Sequence, residues 1–220
     1  MAYNTVPTFS TGDTWSAANA NTYWRDNFTD HETRILVTEG EIDTLQATGM
    51  FLISRTILTA VATSVTFSSI PATYRDMELI VDARGDDGTT PSSYLYMRFN
   101  NDTTAGKYNY QTSGRVYTSS IGSAFAGQDR FWVGNMLYLN ALANASSACK
   151  IAIPNYSGTT FYKNFISNYG FIGHASDTSE FEVGSNYGTF ESTAAISQID
   201  LFPVAGNFIA GSVFSLYGII

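Results

Sequence analysis

The sequence contains 220 residues with a mass of 24.0 kDa, the size of one medium domain or of one domain with an additional arm. Its formal net charge is −8, and charged residues make up 14% of the chain, against roughly 25% in ordinary soluble domains. With only three lysines it has no basic face for phosphates, so we expect no nucleic-acid partner. Aromatic residues make up 15% of the chain, which supplies a large core and excludes a disordered protein.

Membrane insertion, secretion and disulfide bonding are not expected from the sequence. No apolar run approaches the roughly 18–20 residues that span a bilayer. The N-terminus lacks the basic and apolar regions of a secretion signal. Cys149 is the one cysteine, which excludes an internal disulfide and a multi-cysteine metal site. We therefore expect a chain that is made in a cytosol and holds no cofactor and no metal.

The N-terminal 50 residues differ from the rest of the chain in charge and pattern. They hold seven acidic residues against two arginines, a net charge of −5 that leaves −3 of the total −8 for the remainder. The pattern of residues 1–15 predicts an extended segment and a turn, after which Thr14 or Ser16 can cap a helix that begins near Ala17. We therefore predict a helical arm over residues 16–49 and a separate domain over residues 50–220.

Apolar residues of the arm repeat every seven positions, over about three heptads. Such a repeat is sufficient for a short coiled coil. Its narrow apolar stripe and acidic surface favour self-association over the alternative, a single amphipathic helix packed on its own domain. His31 occupies a core position, where it either fixes the register or is merely tolerated, and we propose no metal there. The predicted oligomerisation residues are Trp24, Phe28, His31, Ile35, Ile42 and Leu45.

From residue 50 onwards the hydrophobic period changes from 3.6 to 2, which is typical of β-strands. In the strand predicted from residue 94, for example, Leu95, Met97 and Phe99 share one face, and Tyr94, Tyr96 and Arg98 share the other. The absence of a second helical pattern excludes a parallel α/β sheet and predicts a mainly β, antiparallel β-sandwich or jelly-roll head. Turn-rich sequence, for example at residues 184–188, separates the strands, and the tripeptide Asn-Tyr-Gly at 168–170 and 186–188 predicts two similar turns. The predicted strands cover residues 51–58, 64–68, 77–83, 94–100, 108–117, 130–140, 148–154, 160–172, 180–183, 195–202 and 208–217.

Few residues of the β-region suit catalysis. His174 is its one histidine, and Cys149 lies in an apolar run that predicts a small buried hydrophobe rather than a nucleophile. No spacing among the carboxylates marks the acid–base pair of a glycosidase. We therefore predict that the protein is not an enzyme, with a small glycan hydrolase as the weaker alternative. The carboxylates that such an enzyme would use are Asp177, Glu180, Glu182, Glu191 and Asp200.

The loop at residues 82–88 permits three interpretations. Its Arg-Gly-Asp at 84–86 matches an adhesion tripeptide, and its three aspartates are potential Ca²⁺ ligands. The loop lacks the alternating ligands and the closing Glu of a Ca²⁺ loop. The favoured interpretation is a polar loop after a strand, in which Gly permits a turn and Asp bonds the backbone.

Seven aromatic residues are predicted to be too many for one core and therefore to be exposed. Tyr and Trp suit wet contact surfaces because one end is apolar and the other forms hydrogen bonds. Packing between subunits is favoured over stacking on sugar rings. The residues are Tyr94, Tyr96, Tyr108, Tyr110, Tyr117, Trp132 and Tyr187.

Three stretches carry a resemblance to a known class of proteins. The first contains Thr-Phe-Ser-Thr-Gly-Asp at 8–13 and runs to residue 28, the second begins with Val-Thr-Phe-Ser-Ser-Ile-Pro at 65–71, and the third covers 199–219. They resemble the attachment segment, the first strands and the closing strands of virion structural proteins of tailed bacteriophages. Together they cover about a third of the chain and leave out the middle, from residue 94 to residue 191.

The resemblance implies a homotrimer in which the N-terminus docks on the particle, a short helical bundle follows, and β-sandwich heads point outward. The implied partners are copies of the same chain, other virion proteins of the capsid, neck or tail, and host surface glycans. We therefore expect a non-enzymatic short fibre or decoration protein that is located in the virion and made in the host cytoplasm. The alternative is a lectin-like receptor-binding module of a tail fibre.

Overall fold

The computed structural model describes residues 49–116, 118–173 and 181–220. The predicted attachment segment, the helical arm as far as residue 48 and all six predicted oligomerisation residues lie outside this range. So do Tyr117, His174, Asp177 and Glu180. Within the described residues no helix has the length and apolar character needed to cross a membrane.

The described residues form twelve β-strands, and Met50–Ile220 is one compact unit. The strands are β1 (Met50–Ile57), β2 (Val65–Phe67), β3 (Asp76–Ala83), β4 (Ser92–Phe99), β5 (Tyr108–Val116), β6 (Ser119–Gln128), β7 (Phe131–Leu137), β8 (Ser147–Ile153), β9 (Lys163–Ile172), β10 (Phe181–Phe190), β11 (Ile199–Pro203) and β12 (Val213–Ile219).

The strands form two antiparallel sheets. The larger has eight strands in the order β1-β12-β3-β8-β9-β10-β5-β6, and the smaller has four in the order β2-β11-β4-β7. This confirms the prediction of a mainly β, antiparallel head. The strand number exceeds the eight of a jelly roll, so a two-sheet sandwich describes the head better.

The core lies between the two sheets and follows the predicted alternation. On β4, Leu95, Met97 and Phe99 are buried, whereas Tyr94, Tyr96 and Arg98 occupy the other face. Leu79 and Val81 of the larger sheet belong to the same buried cluster. Strand β4 therefore gives one apolar row to the core and leaves its other row on the outer surface.

The predicted turn at 184–188 is wrong, because β10 runs through it as far as Phe190. Both Asn-Tyr-Gly tripeptides lie inside neighbouring strands, β9 and β10. Two glycines of β10 make room for aromatic rings: a Cβ on Gly184 would collide with the ring of Tyr169, and a Cβ on Gly188, the last residue of the second tripeptide, with that of Phe165. Close packing of rings on the backbone, rather than turn geometry, is the reason for glycine here.

Strand β6 was not predicted, because its residues Ser119–Gln128 are mostly Ser, Ala and Gly, which have weak β-propensity. It pairs antiparallel with β5 over most of its length. The last predicted strand begins later than expected, at Val213, because Gly211 adopts a φ of +92° in the preceding turn. Pairing with β5 thus overrides the weak β-propensity of β6, and the turn at Gly211 makes β12 shorter than the strand that was predicted there.

The chain enters the larger sheet next to the point where it ends. Met50 at the start of β1 is paired with Ile219 near the end of β12. Hydrogen bonds join four loops at the opposite end of the sandwich, for example from the Leu58 amide to the Ser212 carbonyl (3.0 Å) and from the Asp86 amide to the Asn207 carbonyl (2.9 Å). These distal loops are residues 58–64, 84–91, 138–146 and 204–212.

Candidate binding surface

The outer face of the smaller sheet carries a cluster of aromatic and arginine side chains. Strand pairing places Phe202 of β11, Tyr96 of β4 and Trp132 of β7 in one row across the sheet. Alternation along β4 brings Tyr94 and Arg98 to the same face, and the β6–β7 connection adds a carboxylate and a second arginine. We call this cluster the aromatic–arginine surface; it consists of Tyr94, Tyr96, Arg98, Asp129, Arg130, Trp132 and Phe202.

The rings of this surface contact one another in a continuous series. The centroids of Trp132 and Tyr94 are 4.6 Å apart, those of Tyr94 and Tyr96 6.0 Å, and those of Tyr96 and Phe202 5.9 Å. The interplanar angles of 49°, 58° and 44° are tilted arrangements, which the ring quadrupoles favour over a face-to-face sandwich. The series forms a row of rings in which Tyr94 is the most exposed and Trp132 is buried.

Two guanidinium groups lie over these rings. The Cζ of Arg130 is 5.2 Å from the centroid of Tyr96, and the Cζ of Arg98 is 4.9 Å from that of Phe202. Asp129 joins the two cations, with Oδ2 3.0 Å from a terminal nitrogen of Arg98 and Oδ1 2.7 Å from Nε of Arg130. These contacts hold the side chains in place through cation–π attraction and charge-assisted hydrogen bonds.

Charges on this face are balanced, in a chain whose net charge is −8. Asp200 lies in register with Arg98 and accepts hydrogen bonds from Thr66 and from Gln198. The two arginines therefore face two aspartates, and an acidic ligand would meet no local excess of negative charge.

Arg130 offers the hydrogen-bond donors that the cluster leaves unused. Its side chain is 40% exposed. In the described part of the chain its one hydrogen bond is from Nε to Asp129, and both terminal nitrogens lack an acceptor. A guanidinium in this state can donate two parallel hydrogen bonds to vicinal hydroxyl or carboxylate oxygens.

A buried hydrogen-bond network fixes Trp132 from behind. The indole N–H donates to the Gly134 carbonyl (2.8 Å) and to Oδ1 of Asn135 (3.0 Å). The amide of Asn135 donates to Glu182 (2.7 Å), which also accepts from the Tyr169 hydroxyl (2.9 Å). Burial and the adjacent Glu182 carboxylate raise the pKa of Tyr169, so its hydroxyl stays protonated and continues to donate. The ring of Trp132 is thereby held in one orientation.

Exposure differs along the row. Tyr94 is 41% exposed, whereas Trp132 is only 8% exposed and supports Tyr94 from below. Burial raises the pKa of Tyr96 although the nearby charge of Arg130 opposes the shift. The Tyr96 hydroxyl is therefore protonated at neutral pH and available as a donor. The accessible part of the surface is the stretch from Tyr94 to Arg130.

The seven aromatics predicted to be exposed divide into groups. Tyr94, Tyr96 and Trp132 come together on this surface, and Tyr187 is exposed on the outer face of the larger sheet. The prediction is wrong for Tyr108, Tyr110 and Trp132, which are 0%, 8% and 8% exposed. The alternation of period 2 does not show which side of a strand faces the core, so large polar-tipped rings were assigned to the outside.

Four of the seven residues of this surface were not predicted as contact residues. Phe202 was assigned to a strand but not to a site, and Asp129 and Arg130 were not considered. The i, i+2 spacing placed Arg98 on the same face as Tyr94 and Tyr96, but only the two tyrosines were assigned to a contact surface. Phe202 and Arg130 come from distant parts of the chain, and only the strand pairing brings them to Tyr96.

Of the residues considered for catalysis, the structure describes Cys149, Glu182, Glu191 and Asp200, and these four do not form one site. Cys149 is 3% exposed, its thiol lies 3.5 Å from the Val133 carbonyl, and burial raises its pKa to about 12. This confirms the prediction of a small buried hydrophobe. Glu191 accepts a hydrogen bond from Asn109, and Glu182 belongs to the buried network. The described residues contain no group of three or more potential metal ligands.

The Arg-Gly-Asp tripeptide at 84–86 is part of the framework. Arg84 is 8% exposed, and Gly85 lies against the ring of Tyr138. Asp86 accepts hydrogen bonds from the backbone amide and the side-chain amide of Asn207 (2.6 and 2.8 Å). An adhesion motif requires an accessible arginine, so the loop interpretation is favoured, with the difference that the loop is built around a buried cation.

Arg84 organises the connection between β7 and β8. Its terminal nitrogens donate to four backbone carbonyls at 2.6–3.2 Å, and burial lowers the pKa of its guanidinium. The guanidinium thus donates hydrogen bonds to backbone carbonyls of a loop, where no neighbouring strand supplies donors. The four carbonyls belong to Leu139, Ala141, Leu142 and Ala145.

Comparisons with known proteins give only faint likenesses. No protein-family profile matches the sequence, and no curated protein matches it. Among solved structures, the chain is similar to an engineered GH43 glycoside hydrolase with endo-xylanase and exo-arabinofuranosidase activity, at 10% identity and a TM-score of 0.27, over 78% of this chain and 36% of that one. The chain thus spans about a third of the length of that hydrolase.

Two further likenesses are similarly weak. One is to the PL-14 alginate lyase from Aplysia kurodai, at 12% identity and a TM-score of 0.22, over 66% of this chain and 71% of that one. The other is to the CBM2 module of the evolved Dit protein of Lactobacillus casei BL23 phage J-1, at 7% identity and a TM-score of 0.16, over 71% and 69%. At TM-scores this low the likenesses carry no argument about fold or function.

Proposed function

We propose that the protein is a non-enzymatic structural protein of a tailed-bacteriophage virion, a homotrimeric short fibre or decoration protein attached to the particle through its N-terminus. The resemblance of residues 8–28, 65–79 and 199–219 and the heptad pattern of the arm support this proposal. The observation that carries it is that Met50–Ile220 forms a compact unit of two antiparallel sheets, as expected for the head of such a protein.

The arm supplies the association in this proposal. Burial of Phe28, Ile35 and the other seam residues between three helices would provide the free energy, because apolar area is removed from water. The head contributes a separately folded unit with its own core, so it needs no partner to bury its apolar rows. Because the arm associates and the head folds on its own core, the proposal predicts that substitutions in the arm change the oligomeric mass of the protein without unfolding the head.

The test is the solution mass of the full chain and of two variants, by light scattering after size exclusion. We expect a trimer that dissociates in the variant Ile35→Asp, because a carboxylate at a core position of the seam is costly to bury. Thr33→Asp is the matched control, because it adds the same charge at a position that the heptad places away from the seam. A monomeric wild-type chain, or a trimer that survives Ile35→Asp, contradicts the proposed role of the arm.

The aromatic–arginine surface favours a second candidate, a lectin-like receptor-binding head that binds host surface glycans. Sugar rings present apolar C–H faces, which stack on exposed aromatic rings such as that of Tyr94. The free terminal nitrogens of Arg130 can donate to the hydroxyl or carboxylate oxygens at the edge of the same sugar. Asp129 and the two arginines fix this geometry before a ligand binds, which reduces the entropic cost of binding.

The variant Tyr94→Ala tests this candidate on an array of bacterial surface polysaccharides. We expect loss of binding with an unchanged melting temperature, since the ring of Tyr94 is exposed. Tyr187→Ala is the matched control, because Tyr187 is similarly exposed, at 52%, on the outer face of the other sheet. Equal binding by both variants would contradict a glycan site at this surface. Release of a shortened polysaccharide by the wild-type chain would instead favour the hydrolase alternative.

A further inference from the structure

Strand β6 is an edge strand with one unpartnered side. Among the described residues it pairs with β5 alone. It is ten residues long, and its sequence, Ser-Ser-Ile-Gly-Ser-Ala-Phe-Ala-Gly-Gln, contains neither a charged residue nor a proline. Such an edge presents a row of unpaired backbone N–H and C=O groups and is a template for the addition of another strand.

The other sheet edges of the described chain are protected against strand addition. Strand β1 has a register shift between Leu52 and Ser54 and carries the charge of Arg55. Strand β2 is only three residues long. Strand β7 is buried from Phe131 to Gly134. Bulges, charges, shortness and coverage are the usual means of blocking an edge, and β6 uses none of them over Ser119–Phe125.

Pairing with β5 determines which backbone groups of β6 point outward. A two-residue connection separates Val116 from Ser119, so these residues form the hydrogen-bonded pair that closes the hairpin. Every second pair is then hydrogen-bonded, including Thr112–Ser123. The Thr112 hydroxyl lies 3.4 Å from the Ser123 carbonyl, as expected if that carbonyl faces β5. The backbone groups of the intervening residues of β6 therefore point away from β5.

We propose that two copies of the chain pair along β6 in antiparallel orientation, with Ser123 of one copy opposite Ser123 of the other. In this register Gly122 faces Ala124, and their outward backbone groups form hydrogen bonds between the copies. Ile121 faces Phe125 on the inner side, where an aliphatic–aromatic pair across two strands is favourable. Because β6 has no charge, two identical edges do not repel each other.

This contact has two-fold symmetry and is independent of any association through the arm. Three chains joined by a helical bundle cannot satisfy three two-fold contacts among themselves. In a trimer the β6 edge would therefore join heads of neighbouring trimers. The inference goes beyond the proposed function, since it fits any assembly in which two heads meet.

Cross-linking through an introduced cysteine tests the register. The full chain with Ser123→Cys should form disulfide-linked dimers under mild oxidation, because the paired thiols meet across a position where strands approach closely. Cys149, the one natural cysteine, is 3% exposed and contributes little background. The control is Ser120→Cys, since position 120 faces position 126 and lies far from its own copy. We expect more than about tenfold faster cross-linking at 123 than at 120, from the higher effective concentration.

A charge placed on the same edge provides the second measurement. Ser123→Lys puts two ammonium groups directly opposite each other, so the mass that light scattering measures at high protein concentration should fall to that of the unit joined by the arm alone. Gln111→Lys, one strand inward on β5 and in register with Ala124, adds the same charge away from the edge and should leave the mass unchanged. Equal cross-linking at 120 and 123, no cross-linking at either, or an unchanged mass in Ser123→Lys would overturn the proposal.

Discussion

Aromatic rings and arginines occur in two settings in this protein, and their surroundings differ. In the core, the ring of Phe131 contacts those of Phe165, Tyr108 and Phe99 at centroid distances of 4.4, 4.8 and 5.5 Å, and all four residues are fully buried. On the aromatic–arginine surface, Tyr94 contacts its neighbours at similar distances and yet is 41% exposed. Ring packing by itself therefore does not distinguish a residue that holds the fold together from one that can bind a ligand.

Arg84 and Arg130 show the same contrast between a buried and an exposed setting. The four terminal N–H groups of Arg84 are all bound to backbone carbonyls, so its guanidinium has no donors left there for a ligand. Arg130 is held by its Nε and by ring contacts, which leaves its terminal nitrogens without acceptors in the described part of the chain. Exposure together with unused donors, rather than residue type, is therefore what distinguishes Arg130 from Arg84.

The largest effect on stability is expected from Phe131→Ala. Removal of a fully buried ring leaves a cavity and should lower the free energy of unfolding by about 3–5 kcal/mol. Tyr94→Ala should cost less than about 1 kcal/mol, since an exposed ring loses little burial. Urea unfolding followed by circular dichroism measures both. Equal losses in the two variants would remove the distinction between core and surface rings.

Arg84→Met is expected to cost about 2–4 kcal/mol, because four backbone carbonyls lose a charged hydrogen-bond donor. The matched variant Arg130→Met should change the free energy of unfolding by less than about 1 kcal/mol, since its ion pair is partly exposed. Thermal unfolding of both variants provides the measurement. An Arg84 variant as stable as the wild type would show that the β7–β8 connection does not depend on the guanidinium.

Gly184→Ala should lower the free energy of unfolding by about 1–3 kcal/mol, since the new methyl group would overlap the Tyr169 ring. Gly122→Ala is the control: its Cβ would meet only the Thr112 carbonyl oxygen, at an ordinary contact distance of 3.6 Å. Chemical denaturation of the two variants tests whether glycine in β10 serves ring packing. Equal stability would show that the packing of the Tyr169 ring does not require glycine at position 184.

The smallest effect concerns the Asp102–Lys107 ion pair. The hydrogen bond from Lys107, followed by that from Thr104, lowers the pKa of Asp102 from 3.8 to about 2. Since the folded-state pKa is depressed, the stabilisation is complete above pH 3.8 and is lost as the pH falls toward about 2. Melting temperatures of the wild type and Asp102→Asn should therefore converge over that range. The gap at neutral pH corresponds to at most about 1 kcal/mol, because the pair is partly exposed; a gap that does not depend on pH would contradict the assignment.

The sequence predicted the architecture better than the site. Alternation on β4 predicted its two faces, and the apolar run around Cys149 predicted a buried thiol; the structure confirms both. Glycine was interpreted as a turn signal at 184–188, where it accommodates a ring from a neighbouring strand. That information is tertiary, since it depends on which residue lies across the sheet.

The aromatic–arginine surface also depends on tertiary contacts that the sequence does not show. Tyr94 and Tyr96 were candidates from their spacing, whereas Phe202 reaches Tyr96 only through the pairing of β11 with β4. Arg130 lies in a short connection, and no local pattern predicts that its guanidinium covers a ring. Conversely, Tyr108 fits the exposed pattern but lies in the core, because β5 directs that side of its strand inward.

The central claim about the aromatic–arginine surface is that it can bind glycans. Its most direct test is a comparison of two arginine variants in binding to bacterial surface polysaccharides. Arg130→Gln removes the free donors of the aromatic–arginine surface, whereas Arg55→Gln removes an arginine that donates to Ser215 and Tyr217 on the larger sheet. The account predicts binding by the wild type and by Arg55→Gln, and its loss in Arg130→Gln at an unchanged melting temperature. Undiminished binding by Arg130→Gln, or a wild-type chain that binds none of the polysaccharides, would contradict it.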